Sequence, residues 1–101
     1  PWQAPGVYSS YHLYPILVKS NSNSKTQEQI YDELRKKNIS ANLHYIPVHR
    51  HPYYENLGFK KNDFPIAEKL HKKTISIPLY PTLQNESQKY VVETLKKVIN
   101  V

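Results

Sequence analysis

Apolar side chains recur along this chain with two different periods, and each change of period marks an element. Residues 8–18, Tyr-Ser-Ser-Tyr-His-Leu-Tyr-Pro-Ile-Leu-Val, are rich in aromatic and β-branched types and predict a strand. Pro15 has no N–H to give to a ladder, so it is expected on an edge or at a bulge. After the polar turn 20–24, Ser24 with Gln27 fits a capping box. Ile30 and Leu34 then form an i, i+4 stripe, which predicts a helix over 25–37 with Asn38 as its left-handed cap. Residues 39–45 predict a short strand, and Pro47 and Pro52 make 46–52 a loop.

The second half repeats the alternation. Residues 53–57, closed by Gly58, are expected to make one or two helical turns. A helix is predicted over 64–73, capped by Asp63, with Pro65 in its first turn and Ala67 and Leu70 facing inward. Thr74-Ile75-Ser76-Ile77-Pro78-Leu79 alternates with period two and reads as a strand ending at Pro78. Asn85 and Gln88 frame a second capping box, and Val91, Leu95 and Val98 lie at i, i+4, i+7 of a helix over 85–99. Residues 1–7, with two prolines and a glycine, are expected to be irregular. The order β-α-β-(loop or short helix)-α-β-α predicts an α+β, two-layer fold, a short three-stranded sheet with helices. The pattern by itself leaves strand direction open.

At 101 residues the chain has room for one small domain. It has no cysteine, which removes disulfides, thiolate metal sites and thiol nucleophiles, and its apolar runs are far shorter than the roughly 20 residues that span a bilayer. Residues 1–6 lack the basic start and apolar stretch of a signal peptide. No methionine occurs, so the chain is expected to be a piece of a longer protein. The net charge of +6 raises the question of a nucleic-acid or other anionic partner. Its distribution points elsewhere: Arg35-Lys36-Lys37, Lys69/Lys72/Lys73 and Lys96-Lys97 end predicted helices, and Glu28, Asp63 and Glu86 lie near the starts. That arrangement complements the helix dipole.

The residues that stand out chemically run from 44 to 54, His-Tyr-Ile-Pro-Val-His-Arg-His-Pro-Tyr-Tyr, with three of the five histidines. A proline-stiffened loop of rings and hydrogen-bonding heads suits a polar, ring-shaped ligand. His49 and His51 could share a metal ion, but a catalytic zinc needs three protein ligands and the only nearby acid is Glu55. The rings could instead simply fill space between helices and sheet. A stand-alone basic RNA- or anion-binding module is the other alternative, but the glycine-aromatic string of an RRM strand is absent. With Gly6 and Gly58 as the only glycines, phosphate loops and dinucleotide fingerprints are excluded, and no nucleophile elbow supports Ser-His-Asp catalysis.

Ser10-Tyr11-His12-Leu13-Tyr14, then His44-Tyr45-Ile46-Pro47-Val48-His49 followed by Pro52-Tyr53-Tyr54, then Ile75-Ser76-Ile77-Pro78-Leu79-Tyr80-Pro81 and a Val-rich last helix occur in a characteristic order. In these the chain resembles, over residues 8–99, the C-terminal small domain of the DegT/DnrJ/StrS family of pyridoxal-phosphate (PLP) sugar aminotransferases. It is most similar to the branch that aminates a UDP-linked 4-keto-6-deoxy-N-acetylhexosamine on the route to pseudaminic acid. The resemblance implies an antiparallel sheet and a homodimeric, cytoplasmic parent that moves an amino group from glutamate to the sugar through PLP. It implies that Asn42, Leu43, His44 and Tyr45 face the nucleotide-sugar, with His49 and Tyr53 as further contacts, while His12 and Tyr14 are structural. The Schiff-base lysine and the acid for the pyridine nitrogen belong to a large N-terminal domain, so the 101 residues alone are expected to contain no catalytic residue and no cofactor contact.

Overall fold

The computed structural model describes residues 2–19 and 25–99. Strands β1 (Tyr14–Leu17), β2 (Asn42–Leu43) and β3 (Thr74–Ile77) form one antiparallel sheet in the order β1-β3-β2. Helices α1 (Gln27–Lys36), α2 (Pro52–Asn56), α3 (Pro65–His71) and α4 (Asn85–Val98), with a 3-10 turn at Val48–Arg50, complete the order. This is the α+β fold expected from the pattern.

The register assigns the two sheet faces. Ile75 lies opposite both Ile16 and Leu43, so these side chains share one face. There they meet Ile30 and Leu34 of α1 and Val91 and Val98 of α4, with Ile39 and Ala41 filling the seam. Ser76 lies opposite Pro15 and Asn42 on the other face. No described helix gives that second face a continuous apolar cover: Leu17, Ile66 and Leu70 stay exposed around it.

Both outer strands are shorter than the sequence pattern predicts. A strand needs a ladder partner, and β3 offers only four positions, so β1 begins at Tyr14 rather than at 8. Upstream, Tyr11 takes a left-handed φ of 49° that ends any extended run. β2 contracts from 39–45 to the two residues that face Ser76 and Ile75. Pro15 does sit on an edge strand. Val18 N–H donates to the Lys73 carbonyl (2.8 Å) on the β3 side, so by alternation Pro15 turns its donor-less nitrogen to the free edge.

Helix ends explain the remaining differences. α1 is capped by Thr26, whose hydroxyl accepts from Gln29 N–H (3.2 Å) while the Gln29 side chain accepts from Thr26 N–H (2.9 Å). The expected partner Ser24 lies outside the described residues. Asn38 is left-handed (φ 59°), as expected; its N–H donates to the Arg35 carbonyl and that of Ile39 to the Leu34 carbonyl, a Schellman ending. The predicted Asn85–Gln88 box does not form. Asn85 is already helical and Gln84 occupies the cap position, its side chain donating to the Thr82 carbonyl. Asp63 does not cap α3 either, because its carboxylate accepts from Lys60 N–H (2.7 Å) and closes the turn before the helix. The expected inward face of α3 is also corrected: Ala67 and Leu70 are exposed, and Glu68 is the buried residue.

Candidate functional site

The loop between β2 and α3 is held from beneath by two polar contacts. Ser76, only 4% exposed on β3, meets His44 Nε2 through its hydroxyl at 2.9 Å. His49, 7% exposed, lies 2.9 Å through Nε2 from Glu68 Oε1, and Glu68 is 8% exposed. An ionised carboxylate only accepts, so the tautomer of His49 with its proton on Nε2 satisfies this contact. The same oxygen accepts from Asn62 N–H (2.6 Å). The His49 hydrogen bond and the Asn62 N–H hold the Glu68 carboxyl below the usual carboxylate range, against the opposing effect of burial.

A chain of rings extends this anchor outward. His49 packs on Phe64 (centroids 4.9 Å apart), Phe64 on Phe59 (6.0 Å), Phe59 on Tyr54 (6.3 Å), and Tyr54 edge-on against Tyr53 (5.2 Å). Gly58 makes that path possible. At φ +102° it ends α2 with Gly58 N–H to the Glu55 carbonyl and Phe59 N–H to the Tyr54 carbonyl, which returns Phe59 over Tyr54. Arg50 Nε donates to Glu55 Oε1 (2.7 Å), and that carboxylate raises the guanidinium pKa above its usual value.

The residues singled out in the sequence divide into two groups. Asn42, Tyr45 (94% exposed) and Tyr53 are exposed. Leu43 packs against the core, His44 turns to Ser76, and His49 is enclosed between Glu68 and Phe64. His51 brings its Nε2 to the Ile46 carbonyl (3.2 Å), and the described residues contain no group of three or more potential metal ligands. His12 and Tyr14 are exposed at the start of β1. Sequence reasoning missed Ser76, Phe64 and Glu68. A signal existed for Glu68, the only acid within 64–73 and hence the available partner for a buried ring in the histidine-rich loop.

The basic residues close the helices as their dipoles favour: Arg35 and Lys36 end α1, Lys69 and His71 end α3, and Lys96 and Lys97 end α4. No described helix is long and apolar enough to cross a membrane.

Comparison with known proteins fixes the family. A profile of the DegT/DnrJ/EryC1/StrS aminotransferase family matches residues 2–96. The chain belongs to this family. Within it, the spore coat polysaccharide biosynthesis protein SpsC of Bacillus subtilis is 35% identical over 92 residues, which cover 89% of this chain and 24% of SpsC. The UDP-4-amino-4,6-dideoxy-N-acetyl-beta-L-altrosamine transaminase of Helicobacter pylori is 32% identical over 89 residues, covering 88% of this chain and 23% of that enzyme. Among solved structures, Spr1654 of Streptococcus pneumoniae in its PMP form superposes with a TM-score of 0.77 at 36% identity, over 89% of this chain and 22% of its own. The chain spans about a quarter of the length of the relatives it matches.

Spr1654 is known in both PMP and PLP forms, so PLP chemistry runs in the DegT/DnrJ/EryC1/StrS family. The residues here do not fit a PLP site by themselves. A Schiff-base lysine is desolvated and stands with an acid for the ring nitrogen. None of the twelve lysines is buried: Lys25 and Lys73 are half-covered and the rest exposed. Lys25 is engaged by Glu33 (2.8 Å) and the Val98 carbonyl (2.9 Å), and the buried acid Glu68 is occupied by His49 and Asn62.

Proposed function

We propose that this chain is the small domain of a nucleotide-sugar aminotransferase and forms one wall of its sugar-nucleotide pocket. The observation that carries the reading is the anchored loop: Asn42 at the end of β2, Tyr45 in the loop and Tyr53 in α2 are all exposed, while His44–Ser76 and His49–Glu68 fix the loop between them. A fixed root lets exposed hydrogen-bonding side chains meet a ligand without ordering the loop at the moment of binding. In the longer protein PLP supplies the electron sink for amino transfer, with glutamate as donor, and the cofactor is held by a large domain that this one faces. The acceptor is a UDP-linked 4-keto-6-deoxy-N-acetylhexosamine of the pseudaminic acid type. In support, a Helicobacter pylori transaminase acting in that chemistry is among the relatives, although a dTDP-3-amino-3,6-dideoxy-alpha-D-galactopyranose transaminase is similar too. The parent is a homodimer of the cytoplasm.

In the enzyme that carries this segment, Tyr45→Ala and Asn42→Ala should each raise KM for the nucleotide-sugar about tenfold, a loss of about 1.4 kcal/mol of binding. The half-reaction with glutamate should keep its rate. An unchanged KM in both variants, or equal slowing of both half-reactions, would remove these residues from the pocket.

A further inference from the structure

Under the loop lies a hydroxyl with a single partner. Ser76, 4% exposed on β3, sits in the ladder between Pro15 of β1 and Asn42 of β2. Pro15 has no polar side-chain atom, and Asn42 is exposed and makes no side-chain hydrogen bond among the described residues. His44, diagonally across from Ser76, reaches back over the sheet and brings its Nε2 to 2.9 Å from the Ser76 Oγ. The hydroxyl makes no other hydrogen bond among the described residues.

That isolation decides which atom carries the proton. With the His44 proton on Nε2, the Ser76 oxygen would accept it and the hydroxyl's own O–H would be left inside the protein with nothing to meet. Buried donors without an acceptor are rare. With Nε2 bare, the Ser76 O–H donates to it and only hydroxyl lone pairs stay unused, which is the milder loss. The ring then carries its proton on Nδ1. This atom has no protein partner among the described residues and is open to solvent, since the one buried, unpaired side-chain atom among them is His71 Nδ1. His49, in the same loop, is held the opposite way, because the Glu68 carboxylate only accepts and so takes a proton from Nε2. A histidine in water carries its proton mainly on Nε2. Ser76 therefore holds His44 in the less common form, and Glu68 holds His49 in the commoner one.

We propose that Ser76 is a positioning residue of the sugar-nucleotide pocket, whose hydroxyl fixes the orientation and tautomer of His44 so that Nδ1–H stands ready to donate to an acceptor oxygen of the ligand. The ligand contact rests on the pocket proposed above, whereas the tautomer does not. A donor set in advance needs no ring flip or proton shift when the ligand arrives.

Long-range proton–nitrogen NMR spectra of the chain report the tautomer of each histidine ring. His44 should carry its proton on Nδ1 and His49 on Nε2. Ser76→Ala should return His44 mainly to the Nε2–H form without altering His49, and Ser76→Thr, which keeps the hydroxyl, should retain the Nδ1–H form. In the enzyme that carries this segment, Ser76→Ala should raise KM for the UDP-linked 4-keto-6-deoxy-N-acetylhexosamine about fivefold and leave the half-reaction with glutamate at its rate. Ser76→Thr should restore KM, and in a His44→Phe background Ser76→Ala should add nothing. An Nε2–H form of His44 in the unmutated chain overturns the proposal without any variant, so misfolding of a variant does not shield it. So does a Ser76→Ala change that leaves the tautomer as it was, that raises KM equally with and without His44, or that leaves KM unchanged while Tyr45→Ala raises it. An unchanged KM in Ser76→Ala, Tyr45→Ala and Asn42→Ala alike would instead remove the pocket, and with it the donor's role toward a ligand.

Discussion

His49 reaches Glu68 across nineteen positions of sequence, and that separation explains why the pair was hard to read in advance. The cluster of rings at 44–54 was plain in the sequence, but which ring turns inward depends on where α3 is placed. The polar residue of an alternating strand is ordinarily assigned to solvent, yet Ser76 is buried under His44. In both cases the partner that turns a histidine of this stretch inward lies on another element, β3 for His44 and α3 for His49. The acid partner gives a direct prediction. With the folded Glu68 carboxyl held below its ordinary value, its contribution to stability is complete above the unfolded carboxylate pKa of about 4.3 and disappears as pH falls toward the lower folded value. Melting temperature measured between about pH 3 and 6 should fall at the acid end, and Glu68→Gln should flatten that part of the curve while lowering the plateau.

Elements were legible where their ends carry local chemistry. Asn38 and Gly58 both announced helix ends, and both take left-handed backbone with the two reversed hydrogen bonds that close a helix. The ending of α1 brings Ile39 against Leu34 in the core, and the ending of α2 brings Phe59 against Tyr54. Strand lengths were not legible, since β1 and β2 are limited by how many residues β3 offers and no property of residues 8–13 or 39–41 encodes that number. The caps of α3 and α4 failed for a related reason. Asp63 and Asn85 are good cap residues, but each is one position away from the residue that occupies the cap, Phe64 for α3 and Gln84 for α4. At the α1 end, Asn38→Ala should cost about 1 kcal/mol, because among residues with a Cβ the short polar side chain of Asn tolerates the left-handed region and that of Ala does not, whereas Asn38→Gly, with no Cβ, should change stability by only a few tenths. Urea unfolding with an unchanged m-value is the measurement, and equal effects of the two changes would show that the ending contributes no strain relief.

Taken whole, the molecule is a slab, 48 × 41 × 22 Å, with a radius of gyration of 16.1 Å. A compact chain of this length has a radius near 13 Å. Its surface is also too large: 8288 Å² of accessible area, where a folded monomer of 11.9 kDa exposes roughly 5,900 Å². The difference is the size of one side of a permanent interface. It is consistent with the proposed large domain covering the second sheet face, where Ile66 is 75% exposed and Leu17 60%. In the 101-residue chain, Leu17→Ser and Ile66→Ser should each change stability by less than about 0.5 kcal/mol. In a longer protein whose proposed large domain covers these side chains, each should cost about 1.5–3 kcal/mol. Thermal unfolding of both forms distinguishes these outcomes, and equal small effects in the two would mean that this face stays open to solvent.

The exposed Leu17, Ile66 and Leu70 around this face ought to invite self-association, and the edges of the sheet bear on how far it can go. Pro15 withholds a donor from the outer side of β1, and β2 offers an incoming chain only two residues. Growth by adding strands, the route to fibrils, therefore meets a blunt border at either side. Copies of the isolated chain should stick face to face and come apart on dilution, rather than seed ordered aggregates.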